Sequence, residues 1–183
     1  MKRVAVLMAK GYEEGETLTI VDLLRRANIE CHTFYFDNEF VEGMHHMMIK
    51  ADQKFGDEIK DYDVLVLPGG RPGGENLRNN EDVIQMVQYF NQHHKILAAM
   101  CSGTIVLSDA QVIEGKKVTG YTGYEEKLKG GLFQNDVVVY DQNIITSQGP
   151  ATPYPFAFQI IEALGQDTSE MKERLMYNFA GGR

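Results

Sequence analysis

Lys95-Ile96-Leu97-Ala98-Ala99-Met100-Cys101-Ser102-Gly103-Thr104 passes from an unbroken apolar run into a turn of small residues. A short apolar run bounded by turn residues reads as a strand buried on both faces. The small residues after it and the apolar-periodic stretch to Ala110 read as a sharp turn into a helix. A residue pinned at such a turn projects into the crevice at the carboxyl ends of a parallel sheet, so a nucleophile elbow is expected at Cys101.

The same alternation repeats on either side. Arg3–Met8 reads as the first strand, followed by a helix from about Glu16 to Ala27 with Ile20, Val21, Leu24 and Ala27 at helical spacing. Glu30–Phe36 reads as a second strand and Phe40–Ile49 as a hairpin arm. Asp63–Leu67 is a further buried strand, closed by Pro68-Gly69-Gly70, and Glu81–Gln92 is a helix capped by Asn79 or Asn80. Short strands are expected near Lys117–Thr119, Asp136–Tyr140 and Asn143–Ser147, then helices over Tyr154–Leu164 and Thr168–Phe179. Apolar strands alternating with amphipathic helices imply an α/β fold, a mostly parallel sheet with helices on both faces. No linker or repeat interrupts residues 1–183, so a single domain is expected.

A net charge of -8 with scattered Lys and Arg argues against nucleic acid or an anionic membrane as a partner. The basic-then-apolar start, Met1–Met8, is too short for a signal peptide, and no run reaches membrane-spanning length. The two cysteines, Cys31 and Cys101, show no metal-ligand spacing, so free thiols in a reducing, cytoplasmic setting are expected, with no metal or cofactor.

From position alone, two readings of Cys101 stand level: a thiolate stabilised by a helix N-terminus, and a packed structural cysteine. Cys31, mid-strand, reads as packed. Pro68-Gly69-Gly70-Arg71-Pro72-Gly73-Gly74 reads either as a plain turn or as N–H groups offered to an oxyanion. Glu13 and Glu14 read as a solvated helix start. Thr146-Ser147-Gln148-Gly149-Pro150 follows the last strand and can wall the same crevice. Neighbours in His45-His46 and His93-His94 point to different faces, which argues against shared metal ligation.

Ala9–Glu16, Leu67–Gly70, Ala98–Gly103 and Thr146–Pro150, taken together and in order, resemble the ThiJ/PfpI superfamily, nearest the branch of bacterial YajL and the human Parkinson-disease protein deglycase. The resemblance implies a flavodoxin-like sandwich, usually a homodimer. It places the family's nucleophile at Cys101, its protonated glutamate at Glu16, its oxyanion glycine at Gly70 and a second backbone donor at Ser102. It implies a cysteine-dependent stress protein acting on small reactive carbonyls, a glutathione-independent glyoxalase or deglycase. The alternative it carries is a redox sensor or chaperone-like protein whose Cys101 meets an oxidant. One departure stands out: branch members often carry a histidine where this chain has Tyr121. Protease-like members place a histidine after the cysteine, and here that residue is Ser102, so a cysteine hydrolase or amidase is disfavoured. Tyrosine is a poor general base near neutral pH, which leaves His45, on the hairpin arm, as the accessory histidine to look for.

Overall fold

The computed structural model describes residues 2–181. β1 (Arg3–Leu7), β2 (Glu30–Tyr35), β5 (Gln53–Lys54), β6 (Val64–Leu67), β7 (Ile96–Met100), β10 (Val138–Asp141) and β11 (Ile144–Ser147) form one sheet in the order β10-β11-β7-β6-β1-β2-β5. Every pairing is parallel except β10 with β11, which run antiparallel at one edge. Two small ribbons stand outside it: β3 (Phe40–Glu42) with β4 (Met48–Lys50), and β8 (Lys117–Val118) with β9 (Leu132–Phe133). Among the described residues there are seven α-helices: α1 (Glu14–Arg26), α2 (Gly73–Arg78), α3 (Glu81–Gln92) and α4 (Thr104–Asp109) between strands, and α5 (Pro153–Ala163), α6 (Ser169–Arg174) and α7 (Tyr177–Ala180) after the last strand. The flavodoxin-like sandwich expected from the sequence is the fold found.

Period-two alternation along the strands divides the core in two. Val4, Val6, Val64, Val66 and Ala98 face Ile20 and Leu24 of α1 and Phe156 and Ile160 of α5. Ala5, Leu7, Leu65, Leu67, Leu97 and Ala99 face Leu77, Val83, Val87 and Phe90 of α2 and α3. Both faces of the sheet are thus covered, which is why its central strands read as continuous apolar runs. No helix among the described residues is long and apolar enough to cross a membrane.

Several elements differ from expectation, among them three that bear on the fold. The glycine run after β6 does not remain a turn: Gly73 opens α2. The last helix does not run through to Phe179, because Met176 adopts a left-handed backbone, φ 58°, between α6 and α7. Gln53–Lys54 adds a polar edge strand beside β2.

Candidate functional site

The site lies at the carboxyl ends of the adjacent strands β1, β6 and β7. β7 delivers Cys101, which sits in a single 3₁₀ turn before α4 with φ 53°. A left-handed backbone costs a non-glycine residue about 1–2 kcal/mol, so the fold holds this side chain in place against local strain. Gly103 permits the turn, since a Cβ there would lie 2.3 Å from the Leu67 carbonyl oxygen. Cys101 is 9% exposed, buried on most sides and lining a cleft of about 300 Å³.

Glu16, in the first turn of α1, is wholly buried beside it. Its Oε2 accepts the Gly69 N–H at 2.9 Å, its Oε1 is buried without a hydrogen-bond partner, and its carboxyl lies against the Cys101 thiol. Burial pushes the Glu16 carboxyl up to about 7, opposed by hydrogen bonds from Cys101 and Gly69. Burial also pushes the Cys101 thiol up, to about 12, with the Glu16 carboxylate adding to the rise and the N–H groups of Ser102 and Gly70 opposing it. Two negative charges here oppose each other. A proton on Glu16 removes the charge contribution to that rise, leaves the larger contribution of burial, and leaves both N–H donors in place. Of the two sequence readings of Cys101, the thiolate is opposed here by burial and by the Glu16 carboxylate, and protonation of Glu16 removes the second of these.

The glycine loop is pinned from both sides. Gly70 has φ 114°, and a Cβ there would meet the Gly11 carbonyl oxygen at 2.2 Å. The Gly69 carbonyl accepts the Glu13 N–H at 2.9 Å, and the Gly70 carbonyl accepts Ser102 Oγ–H at 3.0 Å. The N–H groups of Gly70 and Ser102 are thereby fixed toward Sγ. This is the donor pair expected of an oxyanion site.

Glu13 and Glu14 correct the sequence reading: both are buried, not a solvated helix start. Glu13 caps α1, its Oε2 accepting the Glu16 N–H at 2.5 Å, and its side chain reaches the cleft. Glu14 accepts from the His45 N–H at 2.8 Å, His45 Nδ1 at 3.0 Å and the Met47 N–H at 3.4 Å, and its own backbone N–H together with these bonds holds its carboxyl below the usual range despite burial. The hairpin arm is therefore clamped onto α1. It brings His45 to the rim of the cleft from within the same chain. Tyr121 also lines the cleft, 38% exposed, edge-on to the buried Tyr124 with ring centroids 5.6 Å apart, and Pro150 closes that wall. All six residues singled out in the sequence meet here. The nearby residues it missed are Glu13, whose spacing to Glu16 is that of a capping box, and Arg71. Cys31 is buried in β2, pushed up to about 12 by burial. A larger groove, about 570 Å³, lies between Phe55–Lys60 and α3, and no cysteine, serine or histidine lines it.

Comparison with known proteins gives a consistent result. Residues 2–163 match the model of the DJ-1/PfpI family. The chain is 35% identical over 169 residues to the Parkinson disease protein 7 homolog of Danio rerio, covering 89% of each chain. Its fold is similar to that of Drosophila melanogaster DJ-1beta, with TM-score 0.90 at 31% identity over 96% of this chain and 97% of the other. It is also similar to a DJ-1 superfamily protein from Salmonella typhimurium, with TM-score 0.89 at 28% identity over 98% of each chain.

Proposed function

The chain belongs to the DJ-1/PfpI family, and from that premise we propose that it is a cysteine-dependent stress protein acting on small reactive carbonyls in the cytoplasm. The observation that carries the reading is the set around one sulfur: Cys101 Sγ, two fixed N–H donors and a buried carboxyl whose pKa is about 7. Sγ adds to the aldehyde carbon of a 2-oxoaldehyde, and the carbonyl electron pair moves onto oxygen, held by the Gly70 and Ser102 N–H groups. Glu16 first gives its proton to that oxygen; as the carboxylate it then takes the proton from the former aldehyde carbon and returns it to the neighbouring carbon, while the hydroxyl proton passes to the former ketone oxygen, converting the adduct to a 2-hydroxyacyl thioester. Water cleaves the thioester, releasing a 2-hydroxy acid and the thiol. A pKa near neutrality suits a group that must both accept and donate. Tyr121 and His45 act at the rim, where they shape access.

The test is methylglyoxal depletion with lactate measured, on the wild type and Cys101→Ser. Loss of lactate formation in the variant is expected; equal rates overturn the reading.

The same donors favour a second reading, oxidation signalling. A protonated Glu16 and the two N–H groups can hydrogen-bond a sulfinate, halting oxidation short of the sulfonate. Peroxide treatment followed by mass mapping of the Cys101 peptide checks it. A homodimer belongs to the proposal as well, supported by the exposed Phe40, Met47 and Met48 on the hairpin arm. Light scattering should give twice the chain mass.

A further inference from the structure

Arg71 is the one permanent cation among the described residues lining the Cys101 cleft. It follows Gly70, whose N–H faces the sulfur, and its backbone neighbourhood is fixed: Gly73 N–H donates to the Gly11 carbonyl at 3.1 Å and Gly74 N–H to the Gly70 carbonyl at 2.9 Å. Its guanidinium has no structural employment. Arg78, in the next helix, is locked to Asp109 at 2.6 Å, whereas Arg71 is exposed and forms no ion pair or side-chain hydrogen bond among the described residues. The acidic side chain that shares its cleft, Glu13, is committed to the first turn of α1. A fixed loop therefore carries a guanidinium with five free N–H donors, in a fork that matches a carboxylate, on the lining of the cleft that Cys101 also lines.

We infer that Arg71 sets the substrate class: the cleft selects 2-oxoaldehydes that carry a carboxylate. This rests on the carbonyl chemistry proposed above and specifies it. With the aldehyde carbon on Sγ and its oxygen on the Gly70 and Ser102 N–H groups, the far end of a short chain lies toward Arg71. Without that cation, Glu13 and the Cys101–Glu16 charge make the cleft repel anions. For 4,5-dioxopentanoate, the aldehyde carbon is oxidised to a carboxylate, the ketone is reduced to a hydroxyl, and one water is added, giving 2-hydroxyglutarate.

The test has two arms. The first needs no turnover. Cys101 alkylation by iodoacetate, an anion, is compared with that by iodoacetamide, and the ratio is normalised to a small free thiol. Wild type should favour the anion, and Arg71→Met should lower the ratio about tenfold, with Arg71→Lys between them. Equal ratios in wild type and Arg71→Met overturn anion selection. The second arm compares kcat/KM for 4,5-dioxopentanoate and methylglyoxal. Wild type should prefer the anionic substrate, and Arg71→Met should lose about tenfold of that preference, chiefly through KM. If methylglyoxal turns over and the preference is absent, the substrate assignment is wrong. If neither aldehyde turns over, the carbonyl chemistry is wrong, while the alkylation ratio still decides whether Arg71 selects anions.

Discussion

Glu16 accepts the Gly69 N–H at 2.9 Å, and a Cβ on Gly69 would stand 2.6 Å from that same carboxylate oxygen and 2.9 Å from Cys101 Sγ. The carboxyl and the sulfur meet because the residue between them has no side chain. Gly69→Ala should therefore act on chemistry more than on folding. We expect about 1–3 kcal/mol of destabilisation from overpacking and about a hundredfold loss of turnover from displaced groups. Urea unfolding beside a lactate assay separates the two; full activity would show that the gap tolerates a methyl group.

Glu16 makes stability depend on pH. Its carboxyl is raised from the ordinary 4.5 to about 7 in the fold, so the folded state keeps a proton that the unfolded chain releases. That contribution is fully present below about pH 4.5 and is lost as pH rises toward about 7. The shift corresponds to roughly 3 kcal/mol. Glu16→Gln mimics the protonated form and should lack this loss, gaining on wild type between pH 4.5 and 8 in urea titrations. Parallel stability curves would place the proton elsewhere.

The same substitution should lower the pH at which Cys101 ionises, because the neighbouring carboxylate no longer opposes it. Glu16→Leu keeps the desolvation and loses the donor, so its thiol should ionise at higher pH than in Glu16→Gln. Ultraviolet thiolate titration of the three proteins gives the order; identical curves would uncouple the pair.

Burial raises both thiols, to about 12, so access and partners must distinguish them. Iodoacetamide should label Cys101 before Cys31, since only Cys101 opens on the cleft and faces two N–H donors. Peptide mapping that finds Cys31 first would remove Cys101 from its role.

Glu14 should prove to be the clasp of the hairpin arm. Glu14→Ala removes the acceptor for both the His45 and Met47 N–H groups and should cost about 1–3 kcal/mol. Amide exchange across Gly43–Met47 should rise more than in β7; unchanged exchange would show that the arm is held by other contacts.

The sheet was legible because burial on both faces writes itself as continuous apolar runs, as in Val64–Leu67 and Ile96–Met100. Cys101 was legible because a strand end followed by Ser102 and Gly103 is a local signal. Glu13 and Glu14 were misread because what buries them arrives from elsewhere: the Gly69 loop and the hairpin arm. Local polarity cannot report a covering segment distant in sequence. Met176 gave no signal either, since a methionine in a left-handed backbone breaks a helix without glycine or proline. Arg71 went unremarked within a glycine run because its meaning lies in having no partner, which only the folded neighbourhood reveals.

The left-handed backbone at Cys101 has an evolutionary consequence. In backbone terms glycine fits that position better than cysteine does, by about 1 kcal/mol or more. Drift toward glycine is therefore downhill for folding, and a lineage released from the need for the thiol would have a stability incentive to discard it. Cys101→Gly, made in the laboratory, tests that slope: it removes the sulfur and relieves the strain in one step. A rise in melting temperature alongside complete loss of thiol chemistry would measure what the fold gives up to keep a nucleophile at this turn.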